Sequence, residues 1–75
     1  MSGPLLGIDI GGTKLAVGVA TRDGHLLGDR QRPSDAADGP DAMIDRVVEM
    51  ARAVVADAGL ELEQVEAIGI GCGGP

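Results

Sequence analysis

The sequence predicts an α/β fold in the order β-β-β-α-β, with strands 1–3 antiparallel and the fourth strand parallel. Three observations predict it. Two short apolar runs flank a Gly-Gly turn at the start of the chain. An Asp-Gly turn then introduces a third extended segment. One long segment with apolar residues at helical spacing separates these from a last aliphatic run.

Leu5, Leu6, Ile8 and Ile10 form the first strand, punctuated by Gly11-Gly12. Leu15 to Ala20 forms the second, with Gly18 as a point of close packing. "RDGH", Arg22 to His25, holds the Asp-Gly hairpin signal and leaves His25 in solvent. The third strand runs from Leu26 to about Arg32, and its charged second half marks it as an edge. Arg32 to Asp41 reads as a polar Pro/Gly loop. A helix starts near Pro40, which suits a first helical position, with Asp41 toward the positive end of the helix dipole. Ile44, Val47, Val48, Ala51, Val54, Val55 and Ala58 fall on one apolar stripe, with Met43 and Met50 in or beside it. Asp45, Arg46, Glu49 and Arg52 fill the other face. Gly59 is a left-handed C-cap, with Leu60 folding back. "ELEQVE" is a polar connector, and Val65, Ala67, Ile68 and Ile70 form the last strand. Tight turns make the first three strands antiparallel. The intervening helix permits a right-handed parallel crossover to the fourth.

The chain has 75 residues, enough for one small domain at most. A domain of that size buries only about 60% of the surface its unfolded chain exposes, so its stability is marginal. One cysteine excludes an internal disulfide, and one cysteine with one histidine excludes a Cys/His zinc site built from this chain. The core must be aliphatic, because Phe, Tyr and Trp are absent. Cys72 reads as a small space-filler. A net charge of −6 argues against nucleic acid or an anionic membrane as partner. "MSGPLLG" lacks the cationic start and apolar core of a secretory signal, so a cytoplasmic setting is expected.

Chemistry concentrates in "GIDIGGTK", Gly7 to Lys14. Asp9 lies between Ile8 and Ile10, in a strand that reads as buried, and burying an unpartnered carboxylate is costly. It has two readings: a carboxylate accepting hydrogen bonds from the turn amides, or an acid that faces a cleft and hydrated Mg²⁺. Gly11-Gly12 also has two readings. They form a hairpin turn needing positive φ, or they allow close backbone approach to phosphate, with successive N–H groups forming an anion nest. Thr13 offers a hydroxyl. Lys14 offers charge, or is a solvated hairpin tip. A P-loop is excluded because no helix follows Lys14. A dinucleotide fingerprint is excluded because no helix follows the glycines of "GIGCGG", Gly69 to Gly74.

The set Asp-x-Gly-Gly-Thr-Lys resembles the first phosphate motif of the ROK family of sugar kinases, within the actin/hexokinase superfamily. "IGIGCGGP", Ile68 to Pro75, is similar to the family's glycine turn after the fourth strand, but has Gly73 where proline is usual. The resemblance spans essentially the whole chain. It implies a ribonuclease-H-like fold and ATP-dependent phosphorylation of a hexose, glucose first among them. It implies that Gly7, Ile8, Asp9, Ile10, Gly11, Gly12, Thr13 and Lys14 form the ATP-binding element, that Asp9 faces Mg²⁺, and that Gly73 and Gly74 lie near the sugar. It also implies that the catalytic aspartate, the sugar-binding Glu/His set and a structural zinc site lie outside these residues. Residues 1–75 are therefore expected to be the N-terminal part of the ATP-binding small domain of a larger kinase. The chain alone is expected to be inactive, with an unmatched helix stripe and unpaired sheet edges, and the intact protein to be a homo-oligomer.

Three other functions compete, one of them a non-catalytic interaction module. A ROK-type transcriptional regulator carries a DNA-binding domain ahead of the Asp-Gly-Gly turn, and here Asp9 stands near the start of an acidic chain. Another kinase or ATPase of the superfamily would share the turn. A hydantoinase-like start would continue Thr-Phe-Thr-Asp, whereas this one continues Lys-Leu-Ala-Val.

Overall fold

A computed structural model describes residues 3–72 of the chain; the Cys72 side chain, read above as a filler, lies outside the description. Strands β1 (Leu5–Ile10), β2 (Lys14–Ala20) and β3 (Leu26–Pro33) precede helix α1 (Pro40–Asp57), and β4 (Ala67–Cys72) follows it. The sheet order is β3-β2-β1-β4. β1 pairs antiparallel with β2, and β2 with β3, while β1 and β4 run parallel. The expected fold class is therefore the observed one. Two segments read as plain loops contain single 3₁₀ turns, at Ala36–Asp38 and Leu62–Gln64. In the second, the side chains of Glu61 and Gln64 cap each other's backbone, a reciprocal device that a merely polar connector does not suggest.

Strand alternation sorts the sheet into two unlike faces. Leu6, Ile8 and Ile10 stand beside Val19, Val17 and Leu15 in register, with Ile68 and Ile70 next to Leu6 and Ile8 across the parallel pair. This aliphatic face packs on α1. The core joins Leu6, Leu15, Val17 and Val19 to Val47, Met50, Ala51, Val54 and Val55 of the helix. The opposite face carries small residues: Gly7 stands beside Gly18 and Gly69, and Asp9 beside Ala16 and Gly71.

The helix ends are built as its sequence dictates. Pro40 occupies the first turn together with Asp41. At the C-terminus, Gly59 takes φ 75. Its N–H donates to the Ala56 carbonyl at 2.9 Å, and the Leu60 N–H donates to the Val55 carbonyl at 3.0 Å. That double bond pattern satisfies carbonyls the helix itself leaves open, and Leu60 packs against the core.

The apolar stripe of α1 is used only in part. The helix lies over β2 and β3, so Met50 is buried while Ile44 remains 59% exposed and Val48 44% exposed. Ile68 and Ile70 on β4 are 59% and 65% exposed. Together these residues line an apolar groove between α1 and the β1–β4 half of the sheet. The expectation of an unmatched stripe thus holds at its Ile44–Val48 end, and the Val54–Val55 end is fully covered. Among the described residues, no helix is long and apolar enough to cross a membrane.

Glu66 ties the entrance of β4 to the start of β1. Its N–H donates to the Pro4 carbonyl at 2.9 Å, and its carboxylate accepts from the Gly3 N–H at 3.0 Å and from the Arg22 guanidinium. The Gly3 N–H first, and the guanidinium second, hold the Glu66 carboxyl below the ordinary carboxylate value. A carboxyl depressed in the folded state stabilises above its unfolded pKa, and that contribution is lost as pH falls through the folded value. Glu66→Gln is expected to lower the thermal midpoint slightly at neutral pH. The two midpoints should converge once the pH has fallen below the ordinary carboxylate range, as thermal unfolding followed across acid pH would show.

Candidate functional site

The site is built on the turn from β1 to β2. Gly11 donates its N–H to the Lys14 carbonyl at 2.9 Å. Neither Gly11 nor Gly12 has a positive φ, so the hairpin reading based on left-handed glycines is corrected. The glycines have separate reasons. A Cβ on Gly11 would stand 3.0 Å from the Lys14 carbonyl oxygen, so a side chain there requires the turn backbone to shift. Among the described residues a Cβ on Gly12 would meet nothing within 4 Å. Neither backbone conformation nor internal packing requires glycine at position 12, which leaves the space outside the turn as the place where its bare backbone matters. Gly12, Thr13 and Lys14 are all exposed.

Asp9 is exposed, not buried. It projects from the small-residue face, away from α1, between Ala16 and Gly71. The desolvation cost expected of an acid in an apolar strand does not arise, because strand alternation puts it on the open side while Ile8 and Ile10 pack toward the core. Among the described residues its carboxylate has no hydrogen-bond or ion-pair partner, so the turn amides do not hold it. A hollow of about 390 Å³ on this face includes Asp9, Gly7, Gly18, Asp29 and Gly69, but not the turn itself. Among the described residues no group of three or more His, Cys, Asp or Glu is placed to hold a metal. Asp9 shares its hollow with Asp29, and one or two carboxylates suit a cation that keeps most of its waters.

The predicted site residues therefore divide. Asp9, Gly12, Thr13 and Lys14 are presented to solvent at the end of β1 and the turn, and Gly7 shares the face of Asp9. Ile8 and Ile10 serve the core side and fix the strand under the site. Gly73 and Gly74, expected near the sugar, lie outside the described residues.

Sequence reasoning missed Ser34. This residue, one step past β3, is 1% exposed. Its Oγ donates to the Gly12 carbonyl at 2.9 Å, and its N–H donates to the Thr13 carbonyl at 3.0 Å. Arg46 of α1, read above as part of a solvated face, donates from Nη1 to the Ser34 carbonyl at 3.0 Å and to the Asp35 carbonyl at 3.3 Å. Its Nη2 is bonded to the Asp38 carboxylate. One signal could have found Ser34. The β2–β3 register pairs Lys14 with Pro33 and so sets Ser34 beside Thr13, but a bulge between Val19 and Ala20 shifts that register by one from the Ala20–Leu26 pair, so the signal is complete only with the bulge.

The sequence pattern of the ROK family matches residues 5–75. Among solved structures, the fold is similar to a protein from Chromobacterium violaceum provisionally assigned as an N-acetylglucosamine kinase. The match has a TM-score of 0.65 and 17% identity, and covers 93% of this chain and 35% of that one. The chain thus spans about a third of that protein's length, and the likeness is one of fold. No curated protein sequence matches.

Proposed function

Because the chain belongs to the ROK family, we propose that it supplies the first phosphate-binding element of an ATP-dependent sugar kinase. One observation carries this reading. At Gly12 the backbone faces open space, and nothing among the described residues accounts for the missing side chain.

Phosphoryl transfer is catalysed mainly by positioning and by neutralising charge on the phosphates. The exposed Gly12-Thr13-Lys14 backbone offers N–H donors to phosphate oxygens, Thr13 adds a hydroxyl, and Lys14 adds a positive charge. Asp9 would hold Mg²⁺ through its water shell; the ion, when bound, offsets phosphate charge. Gly7 keeps the strand face open next to Asp9, and Ile8 and Ile10 anchor the strand from below.

The sugar is a hexose in this proposal, with glucose first and an N-acetylated amino sugar as the alternative favoured by the Chromobacterium fold match. The chain is read as the N-terminal part of an ATP-binding domain, with the catalytic base elsewhere in the polypeptide. The protein carrying this segment should be assayed with ATP against glucose, mannose, fructose and N-acetylglucosamine. ATP consumption that depends on one of these sugars is expected. Failure of every sugar to stimulate ATP turnover would exclude the kinase reading. Residues 1–75 expressed alone should show no such activity.

A further inference from the structure

Ser34 is the buried polar residue among those described, and its three main polar contacts run in one direction. Arg46 holds its carbonyl from the helix, and Ser34 in turn holds two successive carbonyls of the β1–β2 turn, those of Gly12 and Thr13. The consequence follows from the peptide plane. In a trans peptide the C=O and the next residue's N–H point to opposite sides, and no peptide among the described residues is cis. With the Gly12 carbonyl turned to the Ser34 hydroxyl, the Thr13 N–H is directed away from Ser34. With the Thr13 carbonyl turned to the Ser34 N–H, the Lys14 N–H is directed away as well. The Lys14 N–H then lies on the side of Gly11, whose own N–H meets the Lys14 carbonyl, so the Thr13 N–H is the amide aimed off Ser34 at the exposed turn, where it can meet an anion.

We infer that Ser34 is a positioning residue for phosphate binding: by anchoring the Gly12 and Thr13 carbonyls it fixes the turn and the outward amide of Thr13, and Arg46 fixes Ser34. The inference rests on the nucleotide reading of the turn given above. Preorganised donors bind without first being ordered, so loosening this anchor costs phosphate affinity even though Ser34 touches no ligand.

The test uses the full-length protein and three variants. Ser34→Ala removes the hydroxyl anchor, and Ser34→Thr keeps it. Gly12→Val blocks the turn directly. Ser34→Ala is expected to raise the KM for ATP about five- to tenfold, as loss of one ordering hydrogen bond predicts. The sugar KM should stay within about twofold, and Ser34→Thr should restore most of the ATP affinity. Thermal midpoints are measured alongside, and nucleotide titrations are run well below them, so that a weakened fold is not mistaken for weakened binding. If Gly12→Val raises the ATP KM and Ser34→Ala lowers only the thermal midpoint, Ser34 has a purely structural role and the inference is overturned. If Gly12→Val also leaves the ATP KM unchanged, the nucleotide reading itself falls and the inference falls with it.

Discussion

Asp9→Ala is expected to lower turnover of the intact protein by about a hundred- to a thousandfold, with the sugar KM within about twofold of wild type. The size follows from the chemistry. Charge on the transferring phosphoryl group is neutralised by the metal, and a carboxylate that orients a hydrated cation acts mainly where that charge develops. The fold should tolerate the change. Asp9 is exposed and makes no internal hydrogen bond among the described residues, so its removal leaves no buried partner unsatisfied. Asp9→Asn serves as the control, because it keeps the shape and loses the charge. Both variants should need more Mg²⁺ for half-maximal rate, whereas a residue that merely shaped the strand would not shift the metal dependence. Steady-state kinetics at several Mg²⁺ concentrations decide the matter, and an unaltered kcat in both variants would remove Asp9 from the site.

Gly12→Val should raise the KM for ATP by about ten- to a hundredfold by placing two methyl groups where phosphate must approach. Its effect on stability should be small, since among the described residues a Cβ there meets no atom within 4 Å and φ is not positive. Gly11→Val gives the contrast. Its Cβ would press on the Lys14 carbonyl at 3.0 Å, so that variant should lose thermal stability as well as nucleotide affinity. A thermal midpoint near wild type for Gly12→Val, together with a raised ATP KM, would separate ligand approach from turn geometry. Two adjacent glycines thus make opposite predictions about folding and similar ones about binding.

The elements of this fold were legible because local chemistry and global packing agree along most of the chain. Pro40 and Gly59 mark the helix ends from sequence, and the structure uses both in the expected way. The aliphatic alternation of β1 and β2 identifies the strands, and the helix between β3 and β4 makes the last pair parallel. Misreadings arose where the answer depends on a neighbour. Periodicity assigns Ile44 and Val48 to the same stripe as Val55, but only the position of α1 over β2 and β3 decides which of them is covered. Asp9 looked buried because Ile8 and Ile10 flank it, yet period-two alternation alone sends it to the other face from both. That was available from the sequence and was outweighed by the apolar run. The backbone angles at Gly11 and Gly12 were not available, since Gly-Gly permits nearly any turn. Ser34 was hidden for a different reason. Its role comes from a contact 22 residues away in sequence, and "RPSD" reads like any polar loop.

The phosphate assignment and the role of Ser34 both depend on one spatial relation, that of the β1–β2 turn to a bound nucleotide. The most direct measurement is a structure of the full-length protein with Mg²⁺, a non-hydrolysable ATP analogue and sugar. Phosphate oxygens are expected about 2.7–3.2 Å from the outward Thr13 amide of the turn, with Asp9 facing the cation through water and the Ser34 hydroxyl still on the Gly12 carbonyl. Nucleotide bound elsewhere, with the Gly12-Thr13-Lys14 backbone in contact only with solvent, would contradict the phosphate assignment.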